Sequence, residues 1–136
     1  MPVRLGQEIQ TLSRQVTRKP RRNRVQSEQA IAAARTLQEK ALAHFQLALF
    51  HDNNARERDA IPNYEAALRL GLDSSRHAEA LAWLASSLYK TGQPGIALAK
   101  IAESRRRTRD PELRMFLDGL ERRVRRALLR APSVRV

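Results

Sequence analysis

The chain has 136 residues with a net charge of +12 and no cysteine. That length holds one domain plus tails, and the absence of cysteine excludes disulfides, thiol catalysis and cysteine-ligated zinc. No run of about 18 apolar residues is present, so no membrane span is expected, and residues 1–10 lack the apolar core of a signal peptide. A cytoplasmic location is the expectation.

Residues 1–26 form a basic N-terminal extension. Arg4, Arg14, Arg18, Lys19, Arg21, Arg22 and Arg24 stand there against Glu8 alone. Leu5, Ile9, Leu12 and Val16 recur at steps of four, three and four, which sets them on one narrow helical stripe. Pro20 ends that helix, because proline removes a donor and disfavours helix in the residue before it. The stripe has no aromatic ring, so packing on the rest of the chain or on a partner is favoured over a membrane surface.

Residues 27–130 read as one helical domain and residues 131–136 as a tail. A single long helix is expected over 28–50, with Ser27 as its N-cap. Ile31, Ala34, Leu37, Ala41, Phe45 and Ala48 form its apolar stripe, and its length would be about 35 Å.

Next comes a block that occurs twice. Leu47, Ala48, Ala60, Tyr64 and Ala67 are each followed, 37 residues later, by Leu84, Ala85, Ala97, Ile101 and Ser104. Every pair matches in size class. The turns agree as well: Asn53-Asn54-Ala55 and Thr91-Gly92-Gln93-Pro94 divide the two helices of each copy. Gly92 suits a left-handed helix end, and Pro94 suits a first turn. The link Gly71–Ser75 joins the copies, with Asp73 or Ser74 as N-cap. A half copy follows: Asp110 caps a helix opening at Pro111, and Gly119 lies 34 residues after Ala85. Asp118 and Arg122 stand where the second copy has Leu84 and Leu88, giving the polar outer face that a terminal helix needs.

A period of this size is the mark of stacked repeats, and these residue types resemble the tetratricopeptide repeat, a helix–turn–helix unit of about 34 residues. The wording of Ala67–Leu72 and Ser86–Gly92 is similar to a bacterial subfamily. The resemblance covers about residues 41–121. It implies an all-α fold of about two and a half helical hairpin repeats, with a long first helix, a C-terminal capping helix and the basic N-terminal extension. It also implies a non-catalytic adaptor that binds a protein or peptide on a concave face. The first helices of the pairs would line that face with Phe45, Leu49, Glu79, Trp83, Ser86, Tyr89, Lys90, Phe116 and Arg123. Leu42, Asp52, Ala82, Leu113 and Leu120 would lie beside them.

No catalytic, cofactor or metal residue is expected. His44 and His51 are seven apart, whereas a metal pair on a helix sits three or four apart. No phosphate-binding glycine loop or nucleophile elbow is present. Two further partners are weighed. A second copy of the chain could pair through the first helix or the Leu5–Val16 stripe, supplying the burial that two and a half repeats are too few to provide. The alternative function is association with nucleic acid or a ribonucleoprotein through Arg-rich ends: Arg18, Lys19, Arg21, Arg22 and Arg24 at one end, and Arg105, Arg106, Arg107, Arg122, Arg125 and Arg126 at the other. Arginine forks grip phosphate, but no stacking platform of aromatic rings accompanies them.

Overall fold

The computed structural model describes residues 23–130. Among these residues there are six helices and no strand: α1 (Arg24–Ala33), α2 (Leu37–Asn53), α3 (Glu57–Leu70), α4 (Ser74–Lys90), α5 (Pro94–Arg107) and α6 (Pro111–Arg130). The stripe Leu5–Val16 and the tail 131–136 lie outside the described residues.

The twice-occurring block builds the core. Leu47, Ala48, Ala60, Tyr64 and Ala67 are buried, and so are Leu84, Ala85, Ala97, Ile101 and Ser104. Small residues at Ala48, Ala60, Ala85 and Ala97 let two helices approach to about 8–10 Å. The tightest pairings are accordingly α2 with α3 and α4 with α5, while α1 on α2, α3 on α4 and α5 on α6 are looser joints. The described chain is therefore two full helix pairs with a single helix at each end.

Both turns inside the pairs close by the same hydrogen bonds. In the second, Gly92 N–H donates to the Tyr89 carbonyl and Gln93 N–H to the Leu88 carbonyl (3.1 and 2.8 Å). In the first, Ala55 N–H donates to Asp52 and Arg56 N–H to His51 (3.0 and 2.8 Å). These paired hydrogen bonds satisfy carbonyls in the last turn of each first helix and need a left-handed residue at the turn. Gly92 takes it at φ +84°, and Ala55 takes it at φ +59° despite its Cβ. Asp73, rather than Ser74, caps α4 by accepting from Arg76 N–H. Asp110 accepts from Glu112 N–H at the start of α6 (3.1 Å).

The long helix expected over 28–50 is two helices. Ala34 turns extended, at φ −62° and ψ 134°. Thr36 then caps α2, its hydroxyl accepting from Glu39 N–H, while the Glu39 carboxylate accepts from Arg35 N–H (3.0 and 2.8 Å). A side chain that satisfies free N–H groups at a helix start makes a break there cheap. Ser27 is correspondingly not a cap. Asn23 caps α1 through a reciprocal box with Gln26, and Ser27 lies inside the helix, buried. At 17 residues, α2 has the same length as α4.

At the other end α6 buries Leu113, Leu117, Leu120 and Val124 on one stripe. Asp118, Arg122, Arg125 and Arg126 face solvent, as a closing helix requires. Arg105 of α5 ties it down through Asp118 and Glu121, both at 2.8 Å.

Candidate functional site

The first helix of each pair and the closing helix, α2, α4 and α6, converge on one hollow of about 300 Å³. Leu49, Trp83 and Phe116 supply its apolar lining. The rings of Trp83 and Phe116 meet at 5.0 Å with a 56° tilt, the offset geometry that aromatic pairs prefer. Both rings are half-buried and packed on the core, so they are held in place yet reachable. Around them stand Asp52, Asn53, Ser86, Lys90 and Arg123.

Asp52 is anchored from beneath. Its carboxylate accepts from the Tyr64 hydroxyl at 2.7 Å and from the Ser87 hydroxyl at 3.4 Å. Burial pushes its pKa up, and the Tyr64 bond works against that rise. Tyr64 is fully buried, and burial together with the Asp52 charge holds its own pKa well above the usual phenol range. A buried hydroxyl needs a partner, and Asp52 provides one. The bond joins α3 to the last turn of α2, so the floor of the hollow is rigid. Lys90 and Arg123 are exposed and form no ion pair among the described residues.

Six of the nine expected concave-face residues line this hollow: Leu49, Trp83, Ser86, Lys90, Phe116 and Arg123. Phe45 needs a correction. It is fully buried against Tyr64, ring centroids 6.2 Å apart, so it belongs to the core and offers nothing to a ligand. The reason is register: Phe45 lies on the side of α2 that meets α3. Glu79 and Tyr89 are half-buried and do not line the hollow; burial raises the Glu79 pKa. Among the flanking residues, Ala82, Leu113 and Leu120 are buried in the core. Asn53 was missed because it reads as a turn residue, and the Asp52–Tyr64 bond was missed because Tyr64 reads as an apolar spacer.

The basic residues divide into three groups. Arg18, Lys19, Arg21 and Arg22 lie outside the described residues. Arg24, Arg105 and Arg125 are taken by acids, pairing with Glu28, with Asp118 and Glu121, and with Glu121 respectively. Arg106, Arg107, Arg122 and Arg126 are exposed and in no ion pair among the described residues. Three of the cluster, Arg105 to Arg107, occupy the last turn of α5, where positive charge complements the helix dipole.

The histidines have structural surroundings. His44 Nδ1 pairs with Asn63 Oδ1 at 2.8 Å. His51 is buried edge-on to Phe50, and burial lowers its pKa. No group of three or more histidine or acidic side chains that could hold a metal occurs among the described residues. No helix among them is long and apolar enough to cross a membrane.

The chain belongs to the tetratricopeptide repeat family, whose model (Tetratrico peptide repeat) matches residues 41–128. The match begins at α2 and runs through most of α6, so it takes in both helix pairs and the closing helix. Neither a curated protein nor a solved structure matches the chain. Repeats of this family generally mediate protein–protein interaction and are typically non-catalytic.

Proposed function

We propose that this chain is a non-catalytic adaptor that holds a segment of a partner protein in the hollow between α2, α4 and α6. The observation that supports it best is the Trp83–Phe116 pair: two large rings, fixed by the core behind them and open in front. Clustered aromatic anchors in a partly desolvated pocket are where truncation to alanine loses most binding energy. Lys90, Arg123, Ser86 and Asn53 surround the rings with donors, which suits the carbonyls and carboxylates of a bound peptide. The rigid Asp52–Tyr64 floor favours the same reading, since a preformed pocket pays less entropy on binding.

The test is capture of partners from the native host lysate by tagged wild type and by Trp83→Ala, each with nuclease present. Proteins that survive nuclease on the wild type should fall by about 30-fold on Trp83→Ala, the scale of a hot-spot residue. An unchanged set on the variant would remove the hollow from the function.

A second reading rests on α6. Arg122, Arg126 and Arg130 stand at steps of four on exposed positions, unpaired with acids among the described residues. Such a row matches the anionic backbone of a nucleic acid, and binding through it would weaken steeply with salt. Loss of every captured partner on nuclease treatment would favour this reading over the adaptor.

A further inference from the structure

The stack opens with a helix that has no pair. In α3 a small, a large and a small residue follow one another at steps of four and three: Ala60, Tyr64, Ala67. In α5 the same steps give Ala97, Ile101, Ser104, and all six side chains are buried. The triplet occurs a third time as Ser27 and Ile31 in α1 and Ala34 just after its last residue. Ser27 is 1% exposed, and Ile31 and Ala34 are half-buried. Packing agrees with this register. α1 meets α2 at a loose joint, as α3 meets α4 and α5 meets α6, and every loose joint joins the second helix of one pair to the first helix of the next. α1 therefore stands as a second helix whose first helix is not among the described residues.

A seat for that helix exists. A hollow of about 480 Å³ lies between α1 and α2, lined by Ala30, Ala33 and Ala34 on one side and by Glu39, Leu42, Ala43 and Gln46 on the other. The four alanines of these walls let another helix approach closely. Ser27 has a buried hydroxyl with no hydrogen-bond partner among the described residues, at the position where α3 and α5 carry the alanines of their pair contacts.

We infer that residues 5–16 of this chain occupy the seat as the first helix of a preceding pair. Their stripe Leu5, Ile9, Leu12, Val16 supplies the apolar face. Leu12-Ser13 repeats the leucine–small step of Leu47-Ala48 and Leu84-Ala85. Ser13 precedes Ser27 by 14 residues where Ala48 precedes Ala60 by 12, so the turn between the helices is two residues longer. Residues 17–22, which include Pro20, provide it, and helix–helix connections of about 2–8 residues join antiparallel neighbours. Tethering decides between this segment and the same segment of a second copy. A short linker holds its own segment at an effective concentration on the order of millimolar, which a second chain at micromolar concentration does not match. The stack then holds three helix pairs closed by α6, meeting the roughly three units that stacked repeats need.

The absence of cysteine makes the test direct. In the full chain, Ser13→Cys with Ser27→Cys joins the two small positions of the inferred pair. Arg14→Cys with Ser27→Cys, about 100° round the helix, is the control. Under a mild added oxidant in dilute solution, the first double variant should close at least tenfold faster than the control and keep a monomer's mass. Equal closure rates would overturn the inference, and so would a cross-linked dimer as main product, which would give the seat to a second copy. A second measurement does not depend on cysteine. Amides of α1 should exchange with solvent at least tenfold faster in Ile9→Asp/Leu12→Asp than in wild type, with α3 to α6 unchanged. Unaltered exchange in α1 would also overturn it. Neither readout requires a partner, so both stand apart from the adaptor proposal.

Discussion

The two ends of this stack are built in opposite ways. α6 at the C-terminal end buries four apolar side chains, turns Asp118, Arg122, Arg125 and Arg126 to solvent and is tied by salt bridges to the helix before it, while Met115, Leu128 and Leu129 stay exposed. α1 at the N-terminal end has one buried residue, Ser27, exposes Val25, and borders an alanine-lined hollow. The difference shows what closes a repeat array: an end is finished when its last helix buries one face and needs nothing on the other. Among the described residues α6 comes closer to that condition than α1: its inner face is buried and tied down, and its exposed leucines, Leu128 and Leu129, lie in its last turn.

The largest effect that tests the contrast comes from the cores of the two ends. Leu117 is fully buried in α6, so Leu117→Ala should lower stability by about 2–5 kcal/mol through lost transfer energy and a residual cavity. Ile31 in α1 is half-buried, and Ile31→Ala should lower it by only about 1 kcal/mol, in proportion to the smaller area removed from water. Urea denaturation of both variants measures the gap. Equal losses would mean that α1 is held as firmly as α6, and the contrast between the ends would fall.

The tie between α5 and α6 gives the next effect. Glu121 sits below its ordinary pKa, held there first by the Arg125 guanidinium and then by Arg105. A carboxylate depressed in the folded state binds fewer protons than the unfolded chain between the two values. Its stabilisation is therefore present above the ordinary glutamate value, about 4.3, and is lost as pH falls through the folded value. Arg105→Ala should lower stability by about 1 kcal/mol at pH 7, given the partial exposure of the pair. The variant should also lose less than wild type between pH 5 and about pH 3. By contrast, Arg24 and Glu28 pair within α1 itself, so Arg24→Ala should change stability by less than about 0.5 kcal/mol. Urea midpoints at pH 7, 5 and 3 check all of this; a larger pH-dependent loss in Arg105→Ala than in wild type would contradict the assignment.

Much of this architecture can be read from the chain, and the reason is steric. Close helix contacts accept only small side chains, so Ala48, Ala60, Ala85 and Ala97 recur at a fixed offset, and every one is buried. Gly92 and Pro94 mark their turn for an equally local reason. The break at Ala34–Thr36 was harder to see because no glycine or proline stands there. Its signal was Thr36 followed three residues later by Glu39, a capping pattern inside an unbroken apolar stripe. The hollow was legible only in part. Helical spacing places Trp83, Ser86 and Lys90 on one side of α4, and the repeat offset carries that side over to α2 and α6. Spacing alone did not separate Leu49, which reaches the hollow, from Phe45, which faces α3. That choice depends on how far α2 is rotated about its axis, and the rotation follows from packing against two neighbours together.

A change of sign is expected at a single position shared by a pair and an end. Ala85 and Gly119 are 34 residues apart and hold the same place in their helices. In α4, Ala85 is fully buried where α5 packs against it. In α6 no described helix follows, and a Cβ built at Gly119 meets only the side chains of Arg122 and Arg123, at 3.7 and 3.8 Å. Both contacts are ordinary, and both partners are the ends of flexible side chains. Gly119→Ala should therefore stabilise the protein by about 0.5–1 kcal/mol, because alanine loses less backbone entropy than glycine on entering a helix. At the paired position the opposite holds: Ala85→Leu adds bulk to a close helix contact and should lower stability by about 1–3 kcal/mol. Thermal melts of the two variants should move in opposite directions. If Gly119→Ala lowered the melting temperature, another helix would have to press on that face of α6, and the C-terminal end would be as unfinished as the N-terminal one.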